Sequence, residues 1–390
     1  MNNIKVGIIG VGNMGSSHLK NITNGNVTGM TVTAVCDINP EKTNSVKEKH
    51  PELEVFDDYR ELLKKTDIDA VIIATPHPLH AKIATASLES GKHTLLEKPE
   101  DIAVSVAKKL NSVAEKSGKI FAIDFNQRTN GLFQEAHRLV KSGELGELKR
   151  SVWIITNWYR TEHYYASGSW RATWRGEGGG VLLNQAPHNL DLWQWICGMP
   201  KSVTAFCNVG KFHNIEVEDE ATIYTEYENG ATGVFIITTG DCPGTNRFEI
   251  TGTRGKIVLE NGILKLWHLK TDEREICKTA TQGSASPEIE YSEFTCEKES
   301  GHAGILQNFA NAILKNEELI AKGTDGIKEL TISNAAYLSE WSGNKKITLP
   351  INTEEFDKIL KEKIETSVLK EETTQQPKDK TCGKRWQVNW

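Results

Sequence analysis

A chain of 390 residues is too long for one ordinary hydrophobic core, so two domains plus a tail are expected. A net charge of −6 spread over both signs gives no electrostatic reason to bind nucleic acid or an anionic membrane, and no apolar run approaches the ~20 residues of a spanning helix. The seven scattered cysteines lack a C-x-x-C pair, and are expected to be reduced thiols of a cytoplasmic protein with neither disulfides nor a metal site.

The amino terminus is expected to run straight into a strand, Lys5 to Ile9, without a secretory signal. Gly10-Val11-Gly12-Asn13-Met14-Gly15 follows, then a helix from Ser16 and a second strand, Val32 to Val35, leading to Asp37. In such a unit the first glycine makes a tight turn and the second lets backbone N–H groups reach a pyrophosphate. The third lets helix pack on strand, and the acid accepts from the adenosine ribose. A glycine-rich turn in some other α/β protein carries the same letters, but not in this strand–turn–helix–strand–acid order. Strands at Ala70–Ala74, Lys92–Leu96 and Ile120–Ile123 alternate with helices at about Ala81–Ser90 and Ile102–Ser117. Ligands of an open parallel sheet sit beyond the carboxyl ends of its strands. Gly10–Gly15, Asp37, Thr75–His80 and Glu97–Pro99 all fall there. Residues 1–126 are therefore expected to form a doubly wound parallel sheet that binds NAD. The expected cofactor contacts are Gly10, Gly12, Asn13, Met14, Gly15, Asp37, Thr75, Pro76, His80, Glu97, Lys98 and Arg128. Asp37 would repel a 2′-phosphate, and neither Cys36 nor Ile38 beside it is a cation. Lys98 could be one more solvated surface charge. Its position over the nucleotide crevice favours a catalytic role.

After Arg128 the pattern changes. A helix over Gly131–Lys141 gives way to strands, with hairpins expected at Asn229-Gly230 and Asn261-Gly262. Residues 127–350 read as an α/β substrate domain on an open, largely antiparallel sheet, one face of which would make a homo-oligomer, a dimer or tetramer. Helical patterns at Gly304–Leu314 and Gly326–Ser342 are expected to pack back beside the first domain. Within the domain, three glycines at 178–180 precede a helix that Pro187 can start and Gly198 can end. His188, Asp191 and Trp195 share one face of it. Six of the ten tryptophans lie between Leu148 and Met199. They can be core, or they can stack on a sugar, with Tyr159, Trp170, Arg171 and Asp191 as substrate contacts. Residues 351–390 read as a charged tail with a helix at Glu354–Glu365. Its terminal Trp386 and Trp390 would either dock on a subunit or stay disordered.

With these residues in hand, the sequence resembles the Gfo/Idh/MocA family of NAD(P)-dependent sugar and cyclitol oxidoreductases from Lys5 to about Pro350. The resemblance rests on Gly10–Gly15, on Gly91-Lys92-His93-Thr94-Leu95-Leu96-Glu97-Lys98-Pro99, on Ser142-Gly143-Glu144-Leu145-Gly146, and on Gly178–Asp191. It implies an amino-terminal Rossmann domain and catalysis by the lysine and histidine that here are Lys98 and His188. The family's usual pattern has an aspartate four residues before that histidine. Here the residue is Asn184, expected to orient by hydrogen bonding, while Asp191 would hold a substrate hydroxyl or the histidine. The run from Leu182 to Trp195 looks most like glycoside 3-dehydrogenases, which make 3-keto sugars. The expected reaction is hydride transfer from a secondary ring alcohol, C3 of a glucoside, to NAD. Its rivals are a cyclitol dehydrogenase, a glycosidase that oxidises transiently with retained NAD, and a non-catalytic NAD-gated sensor.

Overall fold

The computed structural model describes residues 3–296 and 300–368. The chain forms two compact units: the first takes residues through Thr129 with Ser300–Thr331 and Thr353–Asp357, and the second takes the remainder. Neither unit is one unbroken stretch of sequence.

The first unit holds β1 (Ile4–Ile9), β2 (Met30–Cys36), β3 (Glu54–Phe56), β4 (Ala70–Ile73), β5 (His93–Leu96) and β6 (Phe121–Ile123). All pair parallel in the order β3-β2-β1-β4-β5-β6. Successive side chains of a strand point to opposite faces, and a parallel sheet buries both. Val6, Ile8, Ala70, Ile72 and Leu95 accordingly join one apolar cluster, and Ile9, Val71, Ile73 and Leu96 join another. The helix Gly301–Lys315 contributes Ile305, Leu306, Phe309 and Ala310 to the first cluster. That burial explains why a helix so late in the sequence belongs to this unit. The strand order reverses between β1 and β4, the switch point where such sheets take their ligands.

The second unit holds β7 (Leu148–Ile155), β8 (Ser202–Val209), β9 (Glu218–Glu226), β10 (Thr232–Thr238), β11 (Asn246–Gly252), β12 (Gly255–Glu260), β13 (Ile263–Leu269), β14 (Ile289–Thr295) and β15 (Ile347–Thr348). They form one sheet in the order β14-β13-β12-β11-β7-β10-β9-β8-β15. β7 and β10 pair parallel, and the other neighbours are antiparallel. One face is aromatic: Trp153 stacks on Phe248 at 4.2 Å between centroids, and Trp193 of the helix Pro187–Cys197 stacks on Phe235 at 5.3 Å. Their indole N–H groups donate to Asn246 and Ser151. Trp158 and Trp174 are buried as well, so four of the six clustered tryptophans are core and do not line an open sugar platform.

The two Asn-Gly pairs behave differently. Asn261 and Gly262 both have positive φ (53° and 72°) between the paired Glu260 and Ile263, a tight two-residue turn. At Asn229-Gly230 only the glycine has positive φ, and a longer loop joins Glu226 to its partner Thr232. The helix expected at the start of the charged tail is there, Thr353–Thr366, but its Phe356 and Leu360 are only 1% and 4% exposed. Spaced four apart, they share the face that is buried. Trp386 and Trp390 lie outside the described residues. Among the described residues no helix is long and apolar enough to cross a membrane, and Cys36, Cys197, Cys207, Cys242 and Cys277 are free thiols.

Candidate active site

In the first unit the carboxyl ends of β1 and β4 meet at the glycine turn. A Cβ on Gly10 (φ 90°) would lie 2.4 Å from the Ala74 carbonyl oxygen, and one on Gly15 would lie 1.8 Å from the Gly10 oxygen. Neither position tolerates a side chain. Gly12, by contrast, has open space where its Cβ would be. It opens the helix Asn13–Thr23, which has no side-chain cap and no acid in its first turn. A phosphate is well placed at such an end. Asp37 follows β2, and its carboxylate accepts from Val11 N and Asn39 N, each at 2.9 Å. It thus ties the glycine turn to the end of β2. Beside it lies a hollow lined by Asp37, Ile38, Pro40, Thr43, Val55, Phe56 and Asp57, with Ile38 86% exposed on its rim. These residues fit a dinucleotide: glycines where backbone must approach, an acid for the ribose, an apolar wall for the base. Neither sequence neighbour of Asp37 is a cation, but Lys42, in the first turn of the helix Pro40–Lys49, brings its Nζ to 3.6 Å from Asp37 Oδ2.

Thr75 and Lys98 are half-buried and Pro76 is exposed. Three other expected cofactor contacts are engaged within the protein. Buried His80 sets Nδ1 and Nε2 each 2.7 Å from the carbonyl oxygens of Pro99 and Thr75. Burial lowers its pKa, outweighing those two carbonyls. The ring therefore bridges the loop after β4 and the turn that carries Lys98. Arg128 is buried and donates to Asp325 at 2.9 Å and to the Ile320 carbonyl at 3.1 Å. Glu97 accepts from His18 Nε2 at 2.7 Å, inside a buried cluster with Asp124 and His302. Burial would lower the pKa of His302, but Asp124, 2.8 Å away, raises it to about 9. His18, Glu97 and Asp124 place donor atoms within 4.8 Å of one another. The 2.7 Å between His18 Nε2 and Glu97 Oε1 is a hydrogen-bond distance.

In the second unit the glycine run leads through the short helix Val181–Asn184 to the helix Pro187–Cys197. Pro187 is in the first turn and Gly198 (φ 88°) ends the helix, as expected. His188 is buried within its first turn. Asp191 is fully buried and accepts from Gln194 Nε2 at 3.0 Å. Asn184 donates Nδ2 to Glu177. The guanidinium of Arg171 lies over the rings of Trp170 and Tyr164, at 4.5 and 4.7 Å from their centroids. It also donates to the Tyr164 hydroxyl at 3.1 Å, as does Gln185 Nε2. The structure thus brings Trp170, Arg171 and Asn184 into one polar network, whereas Tyr159 is 47% exposed. The sequence reading missed Glu177 and Glu218, each a buried acid touching the glycine run or Asn184. An acid directly before three glycines was the available signal for Glu177. Glu218, 38 residues from Gly180, offered none.

Comparison with known proteins agrees with this architecture. Residues 4–125 match the oxidoreductase family, NAD-binding Rossmann fold, of GFO/IDH/MocA. Residues 133–258 match the GFO/IDH/MocA C-terminal domain. An uncharacterized oxidoreductase, YrbE of Bacillus subtilis, is 27% identical over 363 residues, covering 91% of this chain and 98% of that protein. The myo-inositol 2-dehydrogenase of Thermotoga maritima is 24% identical over 345 residues, covering 86% and 96%. Among solved structures, the WlbA dehydrogenase from Bordetella pertussis, in complex with NADH and UDP-GlcNAcA, has a TM-score of 0.74 at 23% identity, covering 90% of this chain and 100% of that one. That likeness is one of fold. The chain belongs to the Gfo/Idh/MocA family of oxidoreductases, and its first unit is an NAD-binding Rossmann domain.

Proposed function

We propose that the protein oxidises a secondary ring hydroxyl of a sugar or glycoside, C3 of a glucoside giving a 3-keto product, reversibly and with NAD. The observation that carries this reading is Lys98 at the carboxyl end of β5, the end of the sheet where the glycine turn lies, in a chain whose second unit offers buried His188 at the mouth of a glycine-framed helix. An inositol dehydrogenase among its relatives supports a polyhydroxylated ring as substrate.

NAD, when bound, supplies the hydride acceptor. Lys98 holds the carbinol oxygen and stabilises negative charge as it develops. His188 accepts the hydroxyl proton. The C–H bond breaks with its electron pair, the O–H bond breaks leaving its pair on oxygen, and a C=O bond results. Asn184 orients, and Arg171, held over the Trp170 ring, binds substrate hydroxyls. We read the enzyme as a homo-oligomer of the cytoplasm; its free thiols support the compartment.

The test is NADH absorbance across a panel of glucosides, cyclitols and aldoses, with the product carbonyl located by NMR. A 3-keto glucoside is expected. Oxidation confined to cyclitols overturns the glucoside assignment, and free sugar released without net NADH identifies a glycosidase. Binding of NAD with no turnover on any class would leave a sensor.

A further inference from the structure

The loop that carries Trp170 and Arg171 is anchored to one short stretch of chain. Trp174 donates its backbone N–H to Glu216 Oε1 and its indole N–H to the Glu216 carbonyl, each at 2.8 Å. Two residues after Glu216, Glu218 takes Gly180 N and Leu182 N, beyond the other end of the loop. The backbone between is tight. A Cβ on Gly176 would lie 2.4 Å from the Trp170 carbonyl oxygen. Ala172 holds a left-handed φ of 53°, its N–H donating to Glu177 Oε2 at 2.6 Å. A residue with a side chain keeps that conformation only where its surroundings hold it.

Glu216 is itself held from far along the sequence. The helix Thr353–Thr366 ends on two exposed residues, yet Ser367 after them is only 6% exposed. Its hydroxyl donates to Glu216 Oε1 and accepts from Arg175 N at 3.1 Å. Val368 N donates to Glu216 Oε2 at 3.2 Å. Four residues before Ser367, Lys363 Nζ lies 5.2 Å from the ring centroids of both Trp174 and Trp341.

We propose that Ser367 is a positioning residue for the substrate loop, acting on Arg175 directly and on Trp174 through Glu216. The segment after residue 350 thereby belongs to the substrate site, where it keeps Trp170 and Arg171 in the shape a sugar ring meets. The inference rests on the reading of those two residues as substrate contacts. A loop already held in its binding shape gives up less freedom when substrate arrives. Loosening it weakens ground-state and transition-state binding alike, which raises KM and leaves kcat in place. The hydroxyl matters because it donates and accepts at once; threonine can do both and alanine neither.

In the full chain, Ser367→Ala should raise KM for the oxidised ring alcohol about 3- to 10-fold, the scale of one hydrogen bond. The kcat and the KM for NAD should change little, and Ser367→Thr should restore the KM. Hydrogen exchange read by mass spectrometry follows the loop without turnover. Residues 170–178 should exchange faster in Ser367→Ala, while β10 and β11 keep their wild-type rates. Unaltered exchange over 170–178 overturns the proposal. Faster exchange with an unchanged KM overturns it too, because Ser367 would then brace the fold alone. If no ring alcohol is oxidised yet the loop exchanges faster, the proposed substrate fails and the hold of Ser367 on the loop stands.

Discussion

Tyr337 donates its hydroxyl to Glu218 Oε1 across 2.7 Å, and the same carboxylate accepts Gly180 N at 3.0 and 3.1 Å and Leu182 N at 2.9 Å. This contact explains the glycines. A Cβ on Gly179 would lie 2.2 Å from the Tyr337 hydroxyl, and one on Gly180 would lie 1.9 Å from the Glu218 carbonyl oxygen. The run lets backbone close on a buried acid, which in turn fixes the approach to the helix of His188.

Burial raises the pKa of Glu218 to about 7, the hydrogen bonds only partly offsetting it. The folded state therefore holds a proton that the unfolded chain has released at any pH between the ordinary carboxylate range and about 7. Stability falls as pH rises through that window, because the native state alone must bury the charge. Glu218→Gln removes the titration but also an acceptor oxygen, costing about 1–3 kcal/mol. In thermal melts the wild type should exceed the variant most near pH 5, with the gap narrowing towards pH 8. A constant gap would mean that Glu218 does not titrate in the fold.

Cofactor choice turns on Asp37 and Lys42 together. The carboxylate disfavours a 2′-phosphate, while the ammonium 3.6 Å from it would welcome one if the carboxylate were gone. Asp37→Ala should therefore raise kcat/KM for NADP relative to NAD by at least ~10-fold, equivalent to about 1.4 kcal/mol. Adding Lys42→Ala should remove that gain. Equal use of both cofactors by the unmutated protein would refute the role of Asp37.

What the sequence made legible was local chemistry. Gly10 and Gly15 stand where any Cβ collides, Asp37 lies one residue beyond β2, and Asn261-Gly262 needs two positive φ values. Such demands act within a few residues, so the letters carry them. Glu218 and Tyr337 are 119 residues apart, and nothing near either one announces the other. Nothing near His18 marks it, because its partners, Glu97 and Asp124, arrive from the ends of other strands. The tryptophans stayed undecided for a different reason. An indole is suited to a sugar or to a core, and composition does not say which.

The face of the second sheet opposite Trp153 and Phe235 carries Ile154 opposite Ile236, Val152 opposite Val234, and Tyr224 beside Val234. Half-buried or exposed, these side chains make a broad apolar face of the kind that subunits cover. Light scattering should give a dimer or tetramer, and Ile236→Glu should shift it towards monomer without loss of NAD binding. A wild-type monomer at micromolar concentration would rule out assembly through this face.

The last prediction concerns the chemical step. Hydride leaves the carbinol carbon only as the hydroxyl proton leaves, because a protonated carbonyl is a high-energy product. One group must hold the oxygen and another must accept the proton. Lys98 and His188 are assigned those tasks, and each removal should lower turnover by at least ~10²-fold, the usual scale for a positioned acid or base. Lys98→Met and His188→Ala should leave NAD affinity nearly unchanged if, as proposed, the glycine turn and Asp37 hold the nucleotide. Asn184→Ala should cost less, because it removes orientation and leaves the proton acceptor in place. Single-turnover kinetics on a confirmed substrate separates the three. A Lys98→Met variant that reduces NAD at near wild-type rate would show that the oxygen is held by another group.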